Sequence, residues 1–334
     1  MKTVLGRRWH ASRIAARGPM QVASRAETAP SAVRGQPNTL FSMEQSTTPS
    51  QTVAAAEAAP TPETIRLQPT RGFSRVLAPR ELWRYRDLAF QIAARDVTVR
   101  YRQTSLGAAW AILQPIAFML VFSLIFGRFA GVSSDGLPYA LFSLAGLVPW
   151  MFFANAFLLG SESLVLNHDL VSKIYFPRIF MPAGVVAAGY VDFGISLVIL
   201  VVIVLVYGIV PSFAILALPL LVVIAGATAL GAGSALAAVN VRYRDVRYVV
   251  PFATQMWLFV TPIAYPSSIL SQPLRTLSAI NPMVGVVEGF RWAVLDTASA
   301  PVTLMAISTA SAVVLLVLGL AYFDRVERSF ADFI

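Results

Sequence analysis

From residue 106 onward the chain alternates long apolar stretches with short charged loops. Six of these stretches, at 106–127, 137–160, 183–208, 213–238, 247–266 and 302–323, are long enough for helices that cross a hydrocarbon core of about 30 Å. The fifth is interrupted by Pro251 and Pro262. Backbone hydrogen bonds lost there have to be recovered from neighbouring helices or from a wet cavity. The stretch 267–300 is apolar only in patches. Its Pro273, Asn281–Pro282, Gly285 and Gly289 punctuate short helical pieces, a pattern that fits re-entrant or surface-lying helices. The expected fold class is an all-α integral membrane protein with six transmembrane helices, an N-terminal amphipathic interfacial helix, and re-entrant helices between spans five and six.

Ahead of the first span lies a charged arm at 81–104. At 100° per residue, Arg84, Asp87, Gln91, Arg95, Thr98 and Arg102 share one stripe, with Leu82, Trp83, Leu88, Phe90, Ile92, Val97, Val99 and Tyr101 around the rest. Such a helix lies in the membrane interface with its arginines toward phosphates and water. Arg86, Asp96 and Arg100 intrude on the apolar side, so part of that side faces protein. The block at 95–115 (RDVTVRYRQTSLGAAWAILQP) joins arm to first span with almost no linker. It is the place where a soluble partner can push. Residues 1–78 are rich in Ala, Pro, Ser, Thr and Arg without a sustained apolar run, and are expected to be disordered. They have no signal-peptide core. Met20 or Met43 would serve as a later start. The expected organisation is 1–78 tail, 79–105 cytosolic amphipathic helix, and 106–334 membrane domain.

Composition agrees with the pattern. The 334 residues are 57% hydrophobic and 13% charged, with mean hydropathy +0.67, whereas soluble domains carry about 25% charged residues. No cysteine is present, which excludes disulfides and thiolate metal sites. The net charge of +9 is concentrated in residues 1–42, with seven basic residues and one acid, so it does not mark a nucleic-acid surface. Across the expected spans, thirteen basic residues fall on one side, from Arg80 through the arm, Lys173, Arg178, Arg242, Arg244, Arg247, Arg325 and Arg328. Only Arg128, Arg275 and Arg291 fall on the other. The positive-inside rule then puts both termini in the cytosol.

Chemistry is sparse. There is no G-x-x-x-x-G-K-[ST] phosphate loop, no G-x-S-x-G, and no His/Asp/Glu cluster with metal spacing; the two histidines are His10 and His168. These absences favour transport over catalysis, with no catalytic or metal site. Asp192 is the single ionisable residue at issue inside a span. It is a functional candidate by default, or an ordinary interfacial residue if the third span begins at 191. Aromatics crowd the spans, and most serve packing and interface belts. Trp257, Phe259 and Tyr265 beside the two prolines, with Trp110, are candidate pathway linings, since aromatic faces stack on sugar rings. The loop Leu164–Phe180 (LVLNHDLVSKIYFPRIF) is short and charge-tipped, either a connector or a docking knob for a cytosolic motor.

Five segments together resemble the membrane subunit of type-2 ABC exporters for polysaccharides, the O-antigen, capsule and teichoic-acid permeases. They are RYRDLAFQIAARDVTVRYRQTSLGAAWAILQP at 84–115, NHDLVSKIYFPR at 167–178, RYRDVRYVVPFATQMWLFVTPIAY at 242–265, NPMVGVVEGFR at 281–291 and RVERSFADFI at 325–334. The resemblance covers about residues 81–334. It implies a homodimer of six-span subunits in the bacterial inner membrane, bound to two cytosolic ABC ATPase subunits. No cofactor is then held by this chain, with ATP and Mg on the partner. The implied substrate is a glycan on a polyprenyl-pyrophosphate lipid, threaded through a channel between subunits. Asn167, Asp169, Leu170, Lys173, Phe176, Pro177 and Arg178 would form the ATPase-coupling helix. Arg95, Arg100, Tyr101 and Arg102 of the gate helix would meet the pyrophosphate or anchor at the membrane surface. Asn281, Pro282 and Arg291 would belong to the periplasmic gate within 267–295. A permease for a small drug or lipid shares the topology. A polytopic enzyme of glycan assembly would need clustered acidic or His residues, which the chain does not supply.

Overall fold

The computed structural model describes residues 83, 85–102, 109–173, 176–210, 212–297 and 299–327. The expected tail at 1–78, Arg84, the arm-to-span linker at 103–108 and the terminal 328–334 lie outside the described residues. Every described element is helical. In chain order these are the arm α1 (Arg86–Arg102), α2 (Ala109–Phe122) continued by a π-helical turn to Phe129, and α3 (Tyr139–Leu166). The short α4 (His168–Lys173), α5 (Phe180–Val206), α6 (Leu218–Arg242), entered through the 3₁₀ turn Phe213–Ala217, and α7 (Val246–Val260) follow. The last three are α8 (Gln272–Ser278), α9 (Pro282–Leu295) and α10 (Val302–Glu327).

Five of these are long and apolar enough to cross a membrane: Ala109–Phe129, Tyr139–Leu166, Phe180–Val206, Phe213–Arg242 and Val302–Glu327. They fall on five of the six expected stretches, with ends moved by a few residues. The sixth stretch, 247–266, is different. Its helix α7 stops after 15 residues, about 22 Å at roughly 1.5 Å per residue. The reason is local. Thr261 precedes Pro262, and the pyrrolidine ring drives the preceding residue out of the helical region; Thr261 has ψ 133°.

Helix α3 is the centre of the bundle, buried along most of its length (Leu141–Trp150 without a break). Helices α5, α6 and α9 pack around it. Lipid supplies no hydrophobic drive between helices, so close approach depends on small residues at the seams. A Cβ on Gly231 of α6 would lie 2.6 Å from the Leu316 Cα of α10, and one on Gly285 of α9 would lie 2.6 Å from the Ser308 Cβ. The α3–α6 seam has Gly160 facing Gly233.

Candidate functional site

The arm does not stand apart from the bundle. Ile92 is buried (4% exposed) against α5, where Gly184 makes room for it: a Cβ there would meet Ile92 Cγ2 at 2.7 Å. Eight residues on, Arg100 pairs with Asp192 of α5. Both pairs are 92 positions apart in sequence, so arm and α5 run side by side in the same direction. Tyr85, Leu88 and Ala89 complete this inward side, on a small core with Leu164, Val171, Phe176 and Phe180. The expected apolar side is therefore split. Phe90, on the opposite side of the helix from Ile92, is exposed, as is Trp83 ahead of the helix.

Two polar ties hold the arm. Near its middle, Arg95 Nη2 donates to Asn167 Oδ1 at 2.7 Å and to Asp96 Oδ1 at 2.9 Å. The Asn167 amide in turn donates to the Ser163 carbonyl at 2.8 Å. One side chain thus links the arm to the end of α3, immediately before α4. Near the arm's end, Arg100 Nη1 donates to Asp192 Oδ2 and the Tyr101 hydroxyl donates to Asp192 Oδ1. Asp192 lies twelve residues into α5, about 18 Å from its start. Both its oxygens are engaged by the arm. Arg102 is exposed.

Beside this ion pair is a cavity of about 300 Å³ between the arm, α2, α3 and α5. Arg100, Tyr101, Asp192, Ser196, Gln114 and Asn155 line it with polar groups, and Trp110, Met151, Phe152 and Leu159 with apolar ones.

The loop expected to dock a motor is built in two layers. His168, Asp169, Ser172 and Lys173 of α4 are exposed, with Asp169 and Lys173 3.6 Å apart. Leu170 is half-buried. Phe176, expected at the contact surface, is instead buried (5% exposed). Arg178, next to Pro177, is tied to the end of α10, its amide donating to Glu327 Oε1 at 3.3 Å. These residues fix the loop to the bundle, while α4 presents its rim.

At the opposite end of the spans Arg291 is the hub, 3% exposed. Its Nη1 donates to the Pro262 carbonyl at 2.7 Å and to Glu288 Oε1 at 2.9 Å, and its Nη2 to the Ile263 carbonyl at 2.8 Å. Its Nε donates to the Phe142 carbonyl at 3.3 Å, and the guanidinium sits 3.6 Å from the Phe142 ring centroid. The backbone broken after α7 thus recovers its partners from a side chain, as buried irregular backbone requires. Tyr139 adds a hydrogen bond to the Ala264 carbonyl at 2.6 Å. Asn281 caps α9 through Oδ1, accepting from the Met283 amide at 3.0 Å, with Pro282 in the first turn. Its Oδ1 also accepts from Trp257 Nε1 at 2.9 Å, and its Nδ2 donates to Thr261 Oγ1 at 2.9 Å.

Of the aromatic candidates, Trp257 is turned inward, edge-on to Phe153 at 4.8 Å and Phe157 at 5.8 Å. Trp110 and Phe259 are exposed, and Tyr265 is half-buried, its hydroxyl 3.4 Å from the Phe259 carbonyl. Among the described residues no three His, Cys, Asp or Glu side chains group as a metal site. Sequence reasoning missed Gly184 and Glu288, and read Tyr139 only as one of the aromatics crowding the spans. Only Glu288 had a visible signal, its i, i+3 spacing from Arg291.

A helical membrane bundle led by a helix bound to its third span, with a short exposed helix between two spans, is the build of a transporter's membrane subunit. The chain matches the ABC-2 type transporter family model over residues 88–295, and it belongs to that family. Members are transport subunits, not enzymes, and work with a separate ABC ATPase. The chain is 32% identical to the O-antigen export system permease protein RfbA of Myxococcus xanthus, over 76% of this chain and 97% of that protein. A Klebsiella pneumoniae protein of the same name is 25% identical over 74% of this chain and 94% of its own length. The polysialic acid transport protein KpsM of Escherichia coli is 26% identical over 60% of this chain and 78% of its own.

Proposed function

We propose that this chain is the permease of an ATP-driven exporter that moves a polysaccharide carried on a polyprenyl-pyrophosphate lipid across the bacterial inner membrane. The observation that carries the reading is the similarity to an O-antigen export permease over nearly that protein's whole length. Two copies stand side by side with six spans each, α7 and the segment to Tyr265 forming the fifth, and α8 and α9 lying re-entrant on the periplasmic side. Both termini are cytosolic. Two ATPase subunits, which hold ATP and Mg, seat against the exposed rim of α4.

The mechanism follows the polar ties. ATP-driven closure of the ATPase pair displaces α4, and Asn167, next to it, passes the displacement to Arg95 and the arm. The arm leads into α2, so its movement shifts the wall of the path between the copies. Trp110 and Phe259 are exposed and suited to that wall, where aromatic faces meet sugar rings. Trp257 and Tyr265 support it from behind. Arg95, Arg100, Tyr101 and Arg102 form the basic end that meets the carrier diphosphate. Asn281, Pro282 and Arg291 hold the periplasmic gate helices in place.

Deleting the gene should remove surface polysaccharide, and a plasmid copy should restore it. Intact surface glycan together with new drug sensitivity would replace this reading with that of a small-molecule permease.

A further inference from the structure

Helix α5 carries a carboxylate, Asp192, about 18 Å from its start within a span that is otherwise among the most apolar of the chain. An ionisable group in such a setting costs free energy and marks a functional site by default. Here its partners come from the arm, and both of its oxygens are taken, by Arg100 and Tyr101. The neighbouring cavity has a mixed lining: Gln114, Asn155 and Ser196 add polar groups to the ion pair, and Trp110, Met151 and Phe152 add apolar surface. A lining that combines charged, polar and aromatic groups suits an amphiphile better than a free ion. Its volume of about 300 Å³ is at the small end of ligand sites, enough for a headgroup and the first part of a chain.

We propose that this cavity is a headgroup site for a lipid bearing a phosphate or diphosphate, and that Asp192 occupies Arg100 until the headgroup arrives. The proposal rests on the exporter reading and narrows it to a site. Arg100 and Tyr101 are both donors, and phosphate oxygens accept from a guanidinium at least as well as a carboxylate does. A diphosphate brings more charge and more acceptors than one aspartate. Once displaced, Asp192 finds donors in the amides of Gln114 and Asn155, which line the same space. Headgroup binding therefore breaks the outer of the arm's two polar ties, and the end of the arm separates from α5. Arg95 remains tied to Asn167, so the arm swings about its middle.

The chain has no cysteine, so spin labels can be placed without background. Phe90→Cys on the arm and Val198→Cys on α5 use exposed positions. A second pair, Val99→Cys with Val198→Cys, reports the end of the arm. In nanodiscs of neutral lipid, polyprenyl diphosphate should lengthen and broaden the Val99–Val198 distance while moving Phe90–Val198 less. Inorganic pyrophosphate, polyprenyl alcohol and phosphatidylglycerol should leave both unchanged. Asp192→Asn should show the lengthened distribution without ligand. The swap Arg100→Asp with Asp192→Arg should restore the short distance and abolish the response, which separates a lost tie from a misfolded protein. A wild-type distance indifferent to polyprenyl diphosphate, or an Asp192→Asn protein that stays closed, would overturn the site. An equal response to inorganic pyrophosphate or phosphatidylglycerol would overturn the carrier-lipid assignment. Surface polysaccharide in the deletion strain is scored separately. Its loss together with an unresponsive arm sinks this site and leaves the exporter reading standing.

Discussion

Single side chains do unusual amounts of structural work because the bilayer offers the backbone no water. Arg291 holds the carbonyls of Pro262, Ile263 and Phe142 at once, and its charge is matched by Glu288. Only a guanidinium has enough fixed donors for this; a lysine is a point charge on a flexible stem. Arg291→Lys keeps the charge but leaves buried carbonyls without donors, and should therefore cost about 2 kcal/mol or more, since each buried group left unsatisfied costs about 1–3 kcal/mol. The measurement is the thermal melting point of the detergent-purified protein, and a shift of less than a degree would refute the hub role. Glu288→Gln should be destabilising in the same direction, by less. The sequence singled out Arg291 but not what it holds. Its partners lie up to 149 positions away, and no periodicity encodes such a distance. Asp192 has the same history: visible as an anomaly in an apolar run, with a partner 92 positions off.

Among the elements, the arm and α4 are where sequence patterning was least complete. The stripe of arginines was legible, since it follows from 3.6 residues per turn. The splitting of the apolar side was not, because Ile92 and Phe90 have equal hydrophobic character and only the gap left by Gly184 selects one of them. Gly184→Val should push the arm off α5. Disulfide trapping between Arg100→Cys and Asp192→Cys, efficient in the parent, should fall several-fold in the Gly184→Val background. For α4 the two layers separate by mutation. Phe176→Ala removes a buried ring, by about 3 kcal/mol or more, and should lower the amount of protein in the membrane. Reversing charge on the exposed rim with Lys173→Glu should leave that amount unchanged and weaken co-purification of the ATPase. Equal loss of membrane protein in both variants would remove α4 as the docking rim. The early end of α7 was half legible: Pro262 was flagged, but a proline within an apolar run can kink a helix or end one.

At the scale of the molecule the open matter is whether α7 crosses the membrane, since it decides how the whole chain is oriented around it. Its 15 residues reach about 22 Å, short of a core of about 30 Å. The segment Thr261–Pro266 that follows is largely buried, with its carbonyls held by Arg291 and Tyr139. The chain turns here, the Ile263 amide donating to the Thr261 carbonyl at 2.7 Å, so the segment reaches less far than the roughly 3 Å or more per residue of extended backbone. The charge asymmetry is the same with or without the crossing: if α7 returns to its own side, Arg275 and Arg291 join the basic side while Arg325 and Arg328 leave it, and the balance stays thirteen to three. The cysteine-free chain makes the test direct. Leu274→Cys and Arg244→Cys place single thiols at exposed positions on either side of α7. A membrane-impermeant maleimide applied to intact cells should label the first and not the second, and both should react after lysis. Labelling of both from outside, or of neither, would make α7 a hairpin that returns to its own side. The family's six-span reading would then reduce, for this chain, to the five long helices.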